Sequence, residues 1–281
     1  MYEEFYHFNR TPFSKTPDPS FLYRSRGHEE ALARLLYAVE VREFVVLTGE
    51  VGCGKTTITR ALIDSLGDRY AIVLILNPCL SPSQFLKTIA RRLELDTAMK
   101  QRDELMDMIY EKVYALNEQG MTPVIIIDEA HLIPKRETFE EVRLLTNFQL
   151  DDKNLVSLVL AGQPALRELI LRDDFRALRQ RIGLYYNLDP LSEQETGEYI
   201  RHRLALSGGD EMLFTDSALA LIYRYAGGIP RLINSLATTA LLEGVGKEAA
   251  VIDDTLVLDA ARELMLNSTE PMNPAAGSAV Y

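Results

Sequence analysis

The stretch GEVGCGKTT, Gly49–Thr57, follows the apolar run FVVLT and leads into the helical pattern TTITRALIDSLG. Gly49, Gly54, Lys55 and Thr56 fit G-x-x-x-x-G-K-[ST], with Glu50, Val51, Gly52 and Cys53 at the variable positions and Thr57 just after. Glycines let the backbone wrap closely, so that its N–H groups and the helix N-terminus face a phosphate chain. Lys55 brings charge to the β- and γ-phosphates of a nucleotide, and the Thr56 hydroxyl is placed to ligate magnesium. A strand before and a helix after are the context this motif requires. The whole loop, Gly49 to Thr57, is therefore the expected nucleotide-binding segment, with Cys53 as a small filler within it.

A second element, VIIIDEAH (Val124–His131), ends a buried apolar run on two consecutive acids. Asp128 is expected at the sheet edge where ligands of parallel sheets gather, holding the magnesium water shell. Glu129 beside it is positioned to polarise an attacking water. His131 reads as a surface or packing histidine. A whole strand, 70–77, intervenes between the two motifs in sequence, and together with Asp-Glu this is the pattern of the ATPase branch of such folds. DEAH also occurs in helicases, but the chain shows no second RecA-like domain.

Three further stretches carry polar residues where a triphosphate would be sensed. LVSLVLAGQP places Gln163 at the end of the strand beside the Asp-Glu strand. FRALRQRIG places Arg176, Arg179 and Arg181 at a helix end before the last strand, where an arginine can cross a subunit boundary to a neighbouring nucleotide. GGIPRLIN places Arg231 in the first turn of a helix, where a cation is unfavourable unless an anion lies near.

Five short apolar runs, at 43–48, 70–77, 122–128, 155–161 and 183–188, alternate with helical patterns. Such alternation predicts an α/β fold with a parallel sheet covered on both faces. After 188 the strands stop. LSEQETGEYIRHRLALSGG opens with Ser192 and Glu195 in capping-box spacing, and further helical segments follow, which predicts a small all-α domain. The expected boundaries are 1–188 for the α/β nucleotide-binding domain with its N-terminal segment, 189–266 for a helical lid and 267–281 for a disordered tail.

The 281 residues carry 30 basic and 41 acidic side chains, a net charge of −11 that argues against indiscriminate DNA binding by a positively coated surface. Cys53 and Cys79 can build neither a disulfide framework nor a four-ligand zinc site. The opening MYEEFYHFNRTPF lacks a basic region followed by an apolar core, and no run reaches the roughly 18–20 apolar residues of a membrane span. A reducing cytoplasm is the expected setting.

Taken in order, these motifs resemble the AAA+ ATPases, P-loop NTPases with a RecA-like sheet and a helical lid. The opening FNRTPFSKTPDPSFLYRSRGHEEALARLLYAV together with GEVGCGKTT, IIIDEAHLI, LVLAGQPAL, LRQRI and GGIPRLIN resembles the ExeA group, also called GspA. That group lies within a broader set holding the transposition regulators TnsC, TniB and MuB. The resemblance spans about residues 1–265. It implies ATP and Mg2+ as cofactors and assembly of the chain into a homo-oligomeric ring or filament. It gives Lys55, Thr56, Asp128 and Glu129 the Walker roles, Gln163 that of sensor 1, Arg179 or Arg181 that of arginine finger, and Arg231 that of sensor 2.

Secretion members of the group continue into a membrane span and a periplasmic region, whereas this sequence ends in a short polar tail. The expectation is therefore a regulator of DNA transposition, an ATP-dependent oligomer that binds duplex DNA and recruits a transposase. Arg91, Arg92, Lys100, Arg102, Lys135 and Arg136 are its candidate phosphate contacts. The alternative is an ATPase that assists secretin or envelope assembly through a membrane partner.

Overall fold

The computed structural model describes residues 2–14, 21, 23–150 and 153–266. The expected tail, 267–281, lies outside the described residues. Contacts divide the chain into two compact units. One holds residues 26–50 and 55–188; the other holds the described parts of 1–25, 51–54 and 189–281.

Along the chain, α1 (Tyr2–Phe5) is followed by α2 (Arg26–Glu40), β1 (Phe44–Gly49), α3 (Lys55–Ser65), β2 (Tyr70–Ile75), α4 (Pro82–Arg92), α5 (Arg102–Glu118) and β3 (Thr122–Ile127). Then come α6 (Arg136–Leu145), a pair of two-residue strands β4 (Gln149–Leu150) and β5 (Lys153–Asn154), β6 (Ser157–Gly162), α7 (Pro164–Leu171), α8 (Arg176–Arg179) and β7 (Leu184–Leu188). The larger unit is a five-stranded, wholly parallel sheet in the order β2-β3-β6-β1-β7. Val46 lies opposite Leu160, and Val159 opposite Ile126, so β6 separates β1 from β3.

β1, β3 and β6 are buried along their whole length, which is why their sequences run apolar without alternation. Val46, Ile125, Ile127 and Leu160 pack in one core with Phe85 and Ile89 of α4, Ile109 of α5 and Phe139 of α6. α2 and α3 pack against β1, β6 and β7 and bury Leu35, Val39, Ile58 and Leu62. Helices thus cover both faces, as the alternating pattern requires.

The second unit is built on α9 (Glu193–Leu206), α10 (Asp216–Ala226), α11 (Pro230–Gly246) and α12 (Asp254–Glu263). The capping box legible in the sequence is formed: Glu195 N–H donates to Ser192 Oγ (3.2 Å), and Ser192 N–H donates to a Glu195 carboxylate oxygen (2.9 Å). α10 stops at Gly227, whose left-handed backbone (φ 59°) is a helix-ending conformation. Tyr2, Tyr6, Phe8 and Phe13 join the core of this unit beside Ile200, Phe214, Leu236 and Ile252. The N-terminal segment, grouped by sequence order with the sheet, is grouped by its contacts with the helices. Among the described residues, no helix is long and apolar enough to cross a membrane.

Candidate functional site

Gly49 ends β1, Asp128 follows β3 and Gln163 follows β6. The three strands are parallel and neighbouring, so these positions share the C-terminal edge of the sheet. Gly49 faces β7 so closely that a Cβ there would lie 2.6 Å from the Leu188 carbonyl oxygen. Past it, Gly52 and Gly54 take φ of 88° and 102°, the left-handed turns that let the loop wrap. Cys53 is buried and Lys55 opens α3.

The Lys55 side chain is buried, and its Nζ donates to the carbonyls of Gly49 (2.7 Å) and Glu50 (2.9 Å). An ammonium withdrawn from water needs such acceptors. Thr56 Oγ1 donates to Asp128 Oδ2 at 2.8 Å, and the Glu129 N–H donates to Asp128 Oδ1 at 2.9 Å. Asp128 is 2% exposed, so both its oxygens are fixed by the chain itself. A hydroxyl and a carboxylate in direct contact are the hard oxygen donors that magnesium takes when phosphate and water complete its shell. The residues fit that ion.

Glu129 has a left-handed backbone, φ 51°, and leads into a short turn, Ala130–Leu132. Its Oε2 is buried without a hydrogen-bond partner among the described residues. His131, read from the sequence as a surface or packing residue, has a side chain only 10% exposed, with Nδ1 3.4 Å from Glu129 Oε2. The same Nδ1 accepts a hydrogen bond from the Gln163 backbone N–H at 3.3 Å. Sequence reading missed this link. The available signal was the length of the turn, which returns His131 to the strand end three positions after Asp128.

The arginines of FRALRQRIG lie elsewhere. Gly183 N–H donates to the Phe44 carbonyl, which places this segment at the edge where β1 begins. Arg179 Nη1 donates to the Leu171 carbonyl (2.7 Å), and Arg181 Nη2 to Asn147 Oδ1 (2.7 Å). Six residues of β1, about 20 Å of strand, separate that edge from Gly49. Arg231 follows Pro230 in the first turn of α11; its N–H donates to the Gly52 carbonyl (3.4 Å) and its side chain is exposed. Of the basic candidates, Arg102 makes a two-point ion pair with the buried Glu141 (2.6 and 3.0 Å), Lys100 pairs with Glu104 (3.3 Å), and Arg91 Nε donates to the Lys87 carbonyl.

Residues 39–170 match the family model described as an AAA domain. General secretion pathway protein A of Aeromonas hydrophila is 41% identical over 248 residues, which is 86% of this chain and 44% of that protein. The chain thus spans less than half the length of this relative. Among solved structures, the Aeropyrum pernix ORC2 protein in ADPNP–ADP complexes superposes with a TM-score of 0.68 at 18% identity, covering 93% of this chain and 73% of that one. The Thermotoga maritima RuvB Holliday junction branch migration motor gives 0.57 at 21% identity, covering 86% and 70%. Cdc6p of Pyrobaculum aerophilum gives 0.65 at 18% identity, covering 90% and 70%. Identities this low speak to the fold alone. With its five-stranded parallel sheet between helices and its helical C-terminal region, the chain has the fold of the AAA-type P-loop NTPases, and its sequence resembles General secretion pathway protein A.

Proposed function

We propose that the chain binds ATP with magnesium, hydrolyses it, and acts as a self-associating module that assists secretion or envelope assembly from the cytoplasm through a membrane partner. The observation that carries the enzymatic part is the contact of Thr56 with Asp128 next to a carboxylate, Glu129, that has an open acceptor. The identity to General secretion pathway protein A supports the cellular role.

Lys55, resting on the two loop carbonyls, exchanges them for phosphate oxygens, and the loop N–H groups add further donors. Thr56 and Asp128 would hold the magnesium ion, which when bound neutralises charge on the phosphates. Glu129 accepts a proton from the attacking water through its unpaired oxygen. Gln163 sits at the end of the strand between the loop strand and the acid strand, where it can follow the terminal phosphate. Arg231 offers an exposed guanidinium beside Gly52. Arg179 or Arg181, at the far edge of the sheet, serves a neighbouring copy.

The transposition reading requires a free basic track. Arg102 is committed to Glu141 and Lys100 to Glu104, which leaves Arg91, Arg92, Lys135 and Arg136 as the basic candidates without an ion pair among the described residues. Magnesium-dependent phosphate release, together with filter binding of duplex DNA with and without ATP at low and moderate salt, tests the proposal. It predicts phosphate release and no ATP-linked DNA retention. ATP-linked, salt-sensitive retention would return the transposition reading in its place.

A further inference from the structure

The geometry points to His131 as a positioning residue that couples Gln163 to Glu129; its role in turnover rests on the ATP hydrolysis proposed above. A neutral imidazole has one N–H and one lone pair. The Nδ1 lone pair is taken by the Gln163 N–H, so the ring proton is on Nε2. Nδ1 then has no hydrogen to give Glu129 Oε2, which lies 3.4 Å away, buried and unpaired. A buried acceptor left open is unfavourable, and the left-handed backbone of Glu129 (φ 51°) adds to that cost. The strand end holds an acid oxygen open against both costs, and a water O–H can fill it.

The arrangement has an alternative. Were Gln163 to withdraw, the ring proton could move from Nε2 to Nδ1 with no change in net charge, and Nδ1–H would then donate to Glu129 Oε2. Nδ1 cannot accept from Gln163 and donate to Glu129 at once, so the two bonds exclude each other. The position of Gln163 thus decides whether Glu129 is open to water or held by the ring. Little slack exists to absorb such a shift. A Cβ at Gly162 would lie 3.3 Å from the His131 backbone nitrogen and 2.8 Å from Leu166. Movement at the end of β6 is therefore passed to the turn carrying His131.

Nitrogen-15 NMR of the full chain tests the coupling without any nucleotide. The wild-type ring carries its proton on Nε2 and the Gln163 amide exchanges slowly. In His131→Ala that amide exchanges about 10-fold faster, the equivalent of one hydrogen bond. In His131→Asn, which sets an amide oxygen near the Nδ1 position, slow exchange returns. Glu129→Gln, which offers Nδ1 a competing N–H, speeds Gln163 exchange in the wild-type background and not in His131→Ala. During turnover His131→Ala lowers kcat about 10-fold at constant KM, and His131→Asn restores it to within about 3-fold. A ring protonated on Nδ1, or a Gln163 amide indifferent to His131→Ala, overturns the coupling. So does an asparagine variant that rescues neither readout. A wild-type chain without ATP turnover would remove the proposed function, and the amide and ring data would still decide this inference.

Discussion

Thr56 Oγ1 and Asp128 Oδ2 meet at 2.8 Å across 72 residues of sequence, tying the first turn of α3 to the end of β3. The bond makes the expected magnesium pair part of the fold, because Asp128 is buried and its other carboxylate oxygen takes the Glu129 N–H. Thr56→Val keeps the shape and removes the donor. It is expected to cost about 1–2 kcal/mol in urea denaturation and to abolish the magnesium dependence of nucleotide affinity. Unchanged stability together with unchanged magnesium dependence would separate the pair from both roles.

Arg179 and Arg181 occupy the edge of the sheet opposite Gly49, each bonded to a neighbour within the same unit. Arg179→Ala and Arg181→Ala should therefore leave ATP affinity, measured by calorimetry on dilute protein, within about 2-fold of wild type. One of them should lose the rise in specific activity that accompanies increasing protein concentration. Full stimulation in both variants would remove this segment from the intersubunit role.

Arg203 is buried among the helices and the N-terminal segment. Its Nε donates to the Pro12 carbonyl and its Nη1 to the Tyr199 hydroxyl, both at 2.6 Å, and it stacks over Phe21 at 4.8 Å. Tyr199 in turn donates to Asn234 Oδ1, and burial pushes its phenol up while Arg203 draws it back. Arg203→Met fills similar volume without the donors. It should cost about 2–4 kcal/mol, and proteolysis should then cut within residues 1–25 first. Equal protease resistance would show that the segment is held by its aromatic side chains alone.

His202 gives the helical unit a pH dependence. Burial, and after it the charge of Arg203, lower its pKa from the ordinary 6.5, and its Nδ1 is buried without a hydrogen-bond partner among the described residues. The folded chain therefore keeps this ring neutral at a pH where the unfolded chain takes up a proton. Its contribution to stability is complete above about pH 6.5 and is lost as pH falls from there through the lower folded value. His202→Gln should flatten the decline in Tm between pH 7 and 5 relative to wild type. Identical slopes would place the acid sensitivity on other groups.

The sheet was legible in the sequence because its central strands are buried on both faces: the apolar runs at 43–48, 122–128 and 155–161 match β1, β3 and β6 to within two residues. The glycine loop and the acid pair were legible because their chemistry fixes spacing locally. Tyr2, Tyr6, Phe8 and Phe13 have no such address; the single helical turn of α1 is too short to set a period across all four, and only tertiary contacts bring them to α9–α12. His131 was opaque for a related reason. Its partner is a backbone N–H on another strand, and sequence shows side chains, not which amide they meet. The edge holding Arg179 and Arg181 became evident only with the register of β7 on β1.

The central claim is that Glu129 readies water for attack on a triphosphate held by Lys55, Thr56 and Asp128. Single-turnover phosphate release from Glu129→Gln preloaded with ATP and magnesium tests it most directly. The account predicts retained ATP, with binding within about 3-fold of wild type and release slowed about 100-fold or more. Release at the wild-type rate would contradict it.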